Sequence, residues 1–102
     1  MTLDSGKGSH GNAWNAVATG VNGVSTALES VGRPHKSAFG NVSAATTVTL
    51  QFSMNGTNFY DGPQVTTVDA ADFVFNVTSG AAYIRLKSSA NVTATATLSA
   101  TQ

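Results

Sequence analysis

The chain has no cysteine and few charges: five acidic and five basic side chains stand among 102 residues, and the formal net charge is zero. The absence of cysteine excludes disulfides and thiolate metal sites, and it suits a chain made in a reducing cytoplasm. Because phosphate contacts need clustered lysine and arginine, we expect no nucleic-acid partner. No apolar run reaches the roughly 18 residues of a membrane span, and the first residues show no signal pattern, so we expect no membrane partner.

The small number of charged residues indicates a surface that favours association with other chains. Charged residues make up 10% of the chain, against about 25% in typical soluble domains, and serine, threonine, alanine and glycine take their place. A neutral, weakly charged surface favours association between proteins. We therefore expect a homo-oligomer or another assembly in which further chains cover much of this surface.

The clearest local pattern lies in residues 46–61. Four apolar residues alternate there with polar ones, which predicts a strand with one face on a core: Val48, Leu50, Phe52 and Met54. Asn55 and Gly56 follow, and both tolerate positive φ, so the pair predicts a type I′ hairpin turn. Phe59 and Tyr60 would start the return strand.

Turn signals recur along the rest of the chain at intervals typical of a β-sandwich. We predict an all-β fold: a single sandwich over residues 20–102, jelly-roll-like or Ig-like, with about seven or eight short strands. Residues 25–31 fit a strand better than a short helix, because flanking glycines leave room for only about two helical turns. Residues 73–78 start with apolar residues on both faces, which is typical of a central strand. The predicted core is Val48, Leu50, Phe52, Met54, Phe73, Phe75, Ile84, Leu86, Val92 and Leu98.

Residues 1–19 show no periodicity and are rich in glycine. We expect a flexible N-terminal arm there, since glycine is costly to order. The arm carries the only tryptophan, Trp14, and tryptophan is enriched at the energetic centres of protein interfaces. Trp14 is therefore a candidate anchor on a neighbouring chain; the alternative is that it packs back on its own sandwich.

Catalysis needs titratable groups that converge, and the chain offers two histidines, five carboxylates and no thiol. No serine lies in the Gly-x-Ser-x-Gly pattern of a nucleophile elbow. We expect no enzymatic activity, no cofactor and no resident metal. A calcium site formed by Asp69, Asp72 and Asp61 is the alternative to the commoner role of such acids in capping turns.

The charges that are present fall into two groups. The bases lie at Arg33, Lys36, Arg85 and Lys87, and three acids lie at Asp61, Asp69 and Asp72. If the groups lie on opposite sides, neighbouring copies can meet with complementary charge, which favours register and specificity. The candidate partner-binding residues are Trp14, Arg33, His35, Lys36, Phe39, Arg85 and Lys87.

Two segments carry a resemblance to a known family. Residues 51–61, Gln-Phe-Ser-Met-Asn-Gly-Thr-Asn-Phe-Tyr-Asp, combine a strand, an Asn-Gly-Thr turn and an aromatic return. Residues 82–87, Ala-Tyr-Ile-Arg-Leu-Lys, precede an end strand of alternating threonine and alanine. In this order they resemble small tailed-phage virion proteins with β-sandwich or jelly-roll folds, especially capsid decoration (cement) proteins. The resemblance covers roughly residues 24–100.

The resemblance implies a virion protein without catalysis, made in the host cytoplasm and placed on the outer capsid surface. Its partners would be the major capsid protein and further copies of itself, often as trimers, which bridge neighbouring capsomers. A tail, fibre or baseplate module is the alternative within the virion. The same segments also resemble discoidin-like carbohydrate- or lipid-binding jelly rolls, but those domains are longer and usually carry a closing disulfide, which this chain lacks.

Overall fold

The computed structural model describes residues 8–102, and in this range the protein contains β-strands and no helix. The strands are β1 (Gly8–Ala18), β2 (Gly23–Val24), β3 (Leu28–Glu29), β4 (His35–Val42), β5 (Thr46–Ser53), β6 (Tyr60–Thr67), β7 (Ala71–Thr78), β8 (Tyr83–Ser88) and β9 (Thr93–Thr101). They form two antiparallel sheets that pack face to face, so the predicted all-β sandwich is confirmed.

The strand order identifies the sandwich as a jelly roll. The first sheet has the order β1-β9-β4-β7 and the second β2-β8-β5-β6, with β3 also paired to β8. Since β2 and β3 both lie along β8, they are two pieces of one interrupted strand. The chain thus folds as nested antiparallel pairs, which is the jelly-roll arrangement and not the Ig-like alternative.

The connections gather at the two ends of the sandwich. Residues 30–34, 54–59 and 79–82 meet at one end, which we call the Arg33 end. Residues 19–22, 43–45, 68–70 and 89–92 meet at the other, the Asp69 end. The molecule measures 41 × 28 × 19 Å along its principal axes.

The core lies between the sheets and agrees with the alternation in the sequence. Eight of the ten predicted core residues are buried; Phe52 is partly buried against the cluster, and Met54 is 72% exposed. Met54 was a wrong prediction because β5 ends at Ser53, so the alternation stops before it reaches Met54. The alanines of β9 line the inner face of the first sheet together with Leu98. Gly40 in β4 lies so close to β9 that a Cβ at this position would be 2.1 Å from the Thr95 carbonyl oxygen.

The N-terminal arm was a wrong prediction for residues 8–18, which form β1; residues 1–7 lie outside the described part of the chain. The strand pairs with β9 from Gly8 opposite Thr101 to Ala18 opposite Thr93. A register shift between Asn12 and Trp14 breaks the strict alternation, and both Ala13 and Trp14 are buried. That irregularity hides the strand from a period-two search.

The Asn55-Gly56 hairpin was also wrong in detail. Residues 54–59 form a six-residue loop, and of the pair only Gly56 has positive φ, at 76°. Side chains build this loop: Ser53 Oγ accepts from the backbone N–H groups of Asn55 and Gly56, at 3.2 and 2.9 Å. Asn55 Oδ1 then accepts from those of Thr57 and Asn58, both at 2.9 Å. These bonds favour a wide Asx-type loop over a tight two-residue turn.

Two other strands differ from expectation. β7 lies at the edge of its sheet and not in the middle, and Val74 is 61% exposed on its outer face. The strand expected over residues 25–31 is reduced to the two-residue β3. Ser25 still donates from its backbone N–H to the Leu86 carbonyl at 2.8 Å, but the next N–H, of Thr26, donates to Ala13 in β1, so the pairing with β8 is interrupted.

Candidate interaction surfaces

The seven candidate partner-binding residues do not form one site. Trp14 is only 4% exposed and belongs to the protein's own core, so the proposed anchor on a neighbour was wrong and the self-packing alternative is correct. The other six divide among three surfaces: the Arg33 end, the outer face of the second sheet, and the outer face of the first sheet.

At the Arg33 end, a turn over residues 30–33 encloses Lys36. The Arg33 backbone N–H donates to the Ser30 carbonyl at 3.1 Å, and Gly32 supplies the positive φ of 74°. Lys36 is 2% exposed, and its Nζ donates to the carbonyl oxygens of Arg33 and Ser30, at 2.6 and 3.4 Å. Burial lowers the pKa of Lys36 from its ordinary value. Lys36 therefore holds the turn from inside, and its prediction as a surface contact was wrong.

A cleft of about 200 Å³ opens beside this turn, and we call it the polar cleft after the arginine, lysine and serine residues that line it. It is lined by Ser30, Gly32, Arg33, Pro34, Lys36, Ser79 and Gly80. Arg33 Nε is buried and has no hydrogen-bond partner among the described residues. His35 is exposed at the start of β4 and lines a neighbouring shallow cleft with Lys36 and Thr101. Lys36 therefore lines both clefts, whereas Arg33 lines the first and His35 the second.

An apolar cleft of about 490 Å³ adjoins the polar one and shares Ser79 and Gly80 with it. Its remaining lining residues are Phe52, Ser53, Met54, Tyr60 and Ala81. Met54 and Tyr60 are 72% and 70% exposed, so the cleft presents apolar side chains to the outside. Sequence reasoning missed it because Met54 was assigned to the core; the signal was the position of Met54 directly before Asn55-Gly56.

The outer face of the second sheet carries a chain of side-chain hydrogen bonds. Gln51 donates from Nε2 to Asp61 Oδ1, and its Oε1 accepts from Arg85 Nε, both at 2.8 Å. The guanidinium also lies over the ring of Phe59. Burial lowers the pKa of Arg85. Since Arg85 is held by its own chain, it is poorly placed to bind a partner; Lys87 lies one row further along, opposite Thr49.

The outer face of the first sheet is polar, with one apolar pair. Phe39 and Val74 are cross-strand neighbours, 48% and 61% exposed. Phe39 also lies opposite Thr97, which in turn lies opposite Asn12. Threonine and asparagine side chains of this kind lie beside the apolar pair, and the exposed Asp72 lies on the same face of β7 as Val74.

The acids are divided between places. Asp69 and Asp72 lie at or near the Asp69 end, whereas Asp61 is bonded to Gln51 on the second sheet. Among residues 8–102 there is no group of three histidine or acidic side chains that could hold a metal ion.

No helix in this range is long and apolar enough to span a membrane. Val68, beside Asp69, is 92% exposed.

Comparison with known proteins finds similarity in fold and not in sequence: no family model and no curated protein sequence matches the chain. Among solved structures, the PBSX exported protein XepA superposes with a TM-score of 0.61 at 12% identity over 91% of this chain. The SPBc2 prophage-derived protein YomS superposes with a TM-score of 0.55 at 13% identity over 100% of it. The K2 cleaved adhesin domain of Lys-gingipain gives 0.54 at 13% identity over 91%.

The lengths of these proteins differ. The chain spans 36% of XepA, 70% of the gingipain domain and 97% of YomS. At such identities the likeness establishes a shared fold, and YomS shows that this fold occurs as a protein of nearly the same size.

Proposed function

We propose that this chain is a non-enzymatic structural protein of a phage particle, and that within the particle it is a capsid decoration protein. In this role it binds the major capsid protein on the outer capsid surface and bridges neighbouring capsomers. The observation that carries the proposal is the end-to-end match with a prophage-derived protein of nearly the same size, YomS.

The surfaces of the jelly roll support a role in binding over a role in catalysis. Arg85, Gln51 and Asp61 bond to one another, and Lys36 bonds to its own turn, so these polar groups serve the fold. The exposed apolar side chains include Phe39 and Val74 on the outer face of the first sheet, and Met54 and Tyr60 at the apolar cleft. Exposed apolar groups within polar surroundings are typical of protein contact surfaces.

A decoration protein can work with such modest surfaces. Each copy needs only weak contacts, because a bridge between two capsomers engages both at once and a high effective concentration raises the overall affinity. Many bridges together then resist expansion of the shell. The jelly roll supplies a rigid body for this task, with contact surfaces on different sides of it.

The test is the thermal stability of phage capsids with and without the protein. Deleting the gene in the phage that encodes it should lower the temperature at which full capsids release DNA, and adding purified protein should restore it. Unchanged DNA release after deletion would contradict the role as cement.

A second candidate is a surface-binding module of the adhesin type. It is favoured by the apolar cleft with the exposed Tyr60 ring, since aromatic rings in open clefts suit the binding of sugar faces. The likeness to a gingipain adhesin domain points in the same direction. Binding of the isolated protein to a glycan array, abolished by Tyr60→Ala and not by Phe39→Ala, would support this candidate over the first.

A further inference from the structure

The two ends of the sandwich carry complementary features, and we propose that they bind each other in a head-to-tail contact between two copies of this chain. The Asp69 end presents an apolar side chain followed directly by a carboxylate, Val68 and Asp69. The Arg33 end presents an apolar cleft directly beside a cationic one. The contact seats Val68 in the first cleft and Asp69 at the second.

The protruding part is the loop between β6 and β7. Val68 is 92% exposed, although burial of a valine side chain is favourable. Asp69 Oδ1 accepts from the backbone N–H of Ala70 at 2.8 Å, which fixes the carboxylate at the tip of the loop. Its second oxygen accepts no hydrogen bond from the described residues, so it can take one from outside. Asp72 lies just beyond, at the start of β7, and adds negative charge to the same end.

The receiving part matches this pair in order and in charge. The apolar cleft and the polar cleft share Ser79 and Gly80, so they lie side by side. Two consecutive residues, such as Val68 and Asp69, can therefore occupy one cleft each. Arg33 lines the polar cleft and is partly exposed there, and a carboxylate is the acceptor that a guanidinium binds best. Lys36 adds a second positive charge, and no acidic residue lines either cleft. Glu29, at the same end, is outside both.

The area of the contact is small. The cross-section of an end, about 28 × 19 Å, limits the buried surface to roughly 1,000 Å² over both copies. This area is at the low end for specific interfaces, and we expect weak association in dilute solution that strengthens where copies are held close together. Because the two surfaces differ, the contact is heterologous, and it generates a closed ring or an open filament.

Charge reversal tests the contact in the isolated protein. We expect wild-type protein to show concentration-dependent association in sedimentation velocity, with an association constant that falls tenfold or more in Asp69→Lys and in Arg33→Glu. Arg33→Glu keeps the turn, because the Arg33 bonds to Ser30 and Lys36 are made by backbone atoms. An equimolar mixture of the two variants should regain association, since each end again meets its opposite charge. The double variant should regain it alone.

Two matched variants control the test. Lys87→Glu reverses a charge on the outer sheet face and should associate like wild type, as should Val21→Ser, which removes another exposed valine at the Asp69 end. Val68→Ser should weaken association. Monomeric wild-type protein up to millimolar concentration would overturn the proposal, and so would a mixture that stays monomeric. Loss of association in Phe39→Ser with full association in Asp69→Lys would assign the contact to the sheet face instead. The assay needs no phage particle, so its result is independent of the proposed capsid role.

Discussion

The guanidinium carbon of Arg85 lies 3.8 Å from the centre of the Phe59 ring. The contact joins the loop before β6 to the outer face of β8, and the bond from Arg85 Nε to Gln51 fixes the guanidinium from the other side. On the polar face of the β5 hairpin, side chains are thus linked to one another by hydrogen bonds and by the contact with the Phe59 ring, and they cover the backbone of the sheet. Gln51 is accordingly only 6% exposed on that face.

A double-mutant cycle should detect the cation–π contact. Phe59→Leu and Arg85→Met together should reveal a coupling of about 0.5–1 kcal/mol in urea unfolding, because each substitution keeps apolar bulk while removing one partner. Tyr60→Leu serves as the control for Phe59→Leu, since the neighbouring Tyr60 is 70% exposed. Equal coupling with Tyr60 and with Phe59 would show that the measured term is not the ring contact.

Gly40 should not tolerate a side chain. An alanine Cβ there would lie 2.1 Å from the Thr95 carbonyl oxygen and 2.6 Å from Ala96 Cα, so β4 and β9 must move apart. Gly40→Ala should lower the free energy of unfolding by about 1–3 kcal/mol or more. Gly80→Ala, where no atom lies within 4 Å of the added Cβ, should stay within about 0.5 kcal/mol of wild type in the same chemical denaturation experiment.

Trp14 should behave as a core residue. Trp14→Ala should cost about 3–5 kcal/mol in unfolding free energy, since a large buried side chain is lost, whereas Asn12→Ala on the exposed side of β1 should cost about 0.5 kcal/mol or less. Deleting residues 1–16 should abolish cooperative unfolding, because most of β1 is removed from β9. A truncated protein that unfolds with wild-type stability would restore the idea of a dispensable arm.

Lys36 should make stability depend on alkaline pH. Burial lowers its folded-state pKa below the ordinary 10.5, so between those two values the unfolded chain binds more protons than the folded one. The stability of wild type should therefore rise with pH through that window, relative to Lys36→Met, and the burial penalty should persist in full below it. Lys87→Met controls for the removal of one lysine. Parallel pH profiles of wild type and Lys36→Met, by urea unfolding, would contradict this account.

The sequence predicts those strands in which apolar and polar residues alternate without interruption. Alternation located β5, β8 and β9 and most of the core, because a half-buried strand must place apolar residues at every second position. It missed β1, where a register shift between Asn12 and Trp14 interrupts the alternation and glycine and asparagine suggest a loop. A segment rich in glycine and asparagine can still form a strand when a neighbouring strand, here β9, supplies the backbone hydrogen bonds.

The candidate site was only partly predictable, for reasons that lie in tertiary structure. The Arg33–Lys36 cluster was visible in the sequence, but Lys36 turns inward to the Ser30 and Arg33 carbonyls, which local pattern does not encode. The separation of Asp69 and Asp72 from Arg33 follows from the antiparallel pairing of β4 with β7, which places the start of β7 far from the start of β4. The clefts beside Ser79 and Gly80 form from three loops that are distant in the chain.

The location of the protein in phage particles decides whether it is a capsid protein. Under the proposed function, virions of the encoding phage can be dissociated into heads and tails, and each fraction quantified by mass spectrometry against the major capsid protein. A decoration protein should be found in the head fraction, in constant proportion to the major capsid protein and accessible to antibody from outside. Recovery with the tails, or absence from both fractions, would contradict it.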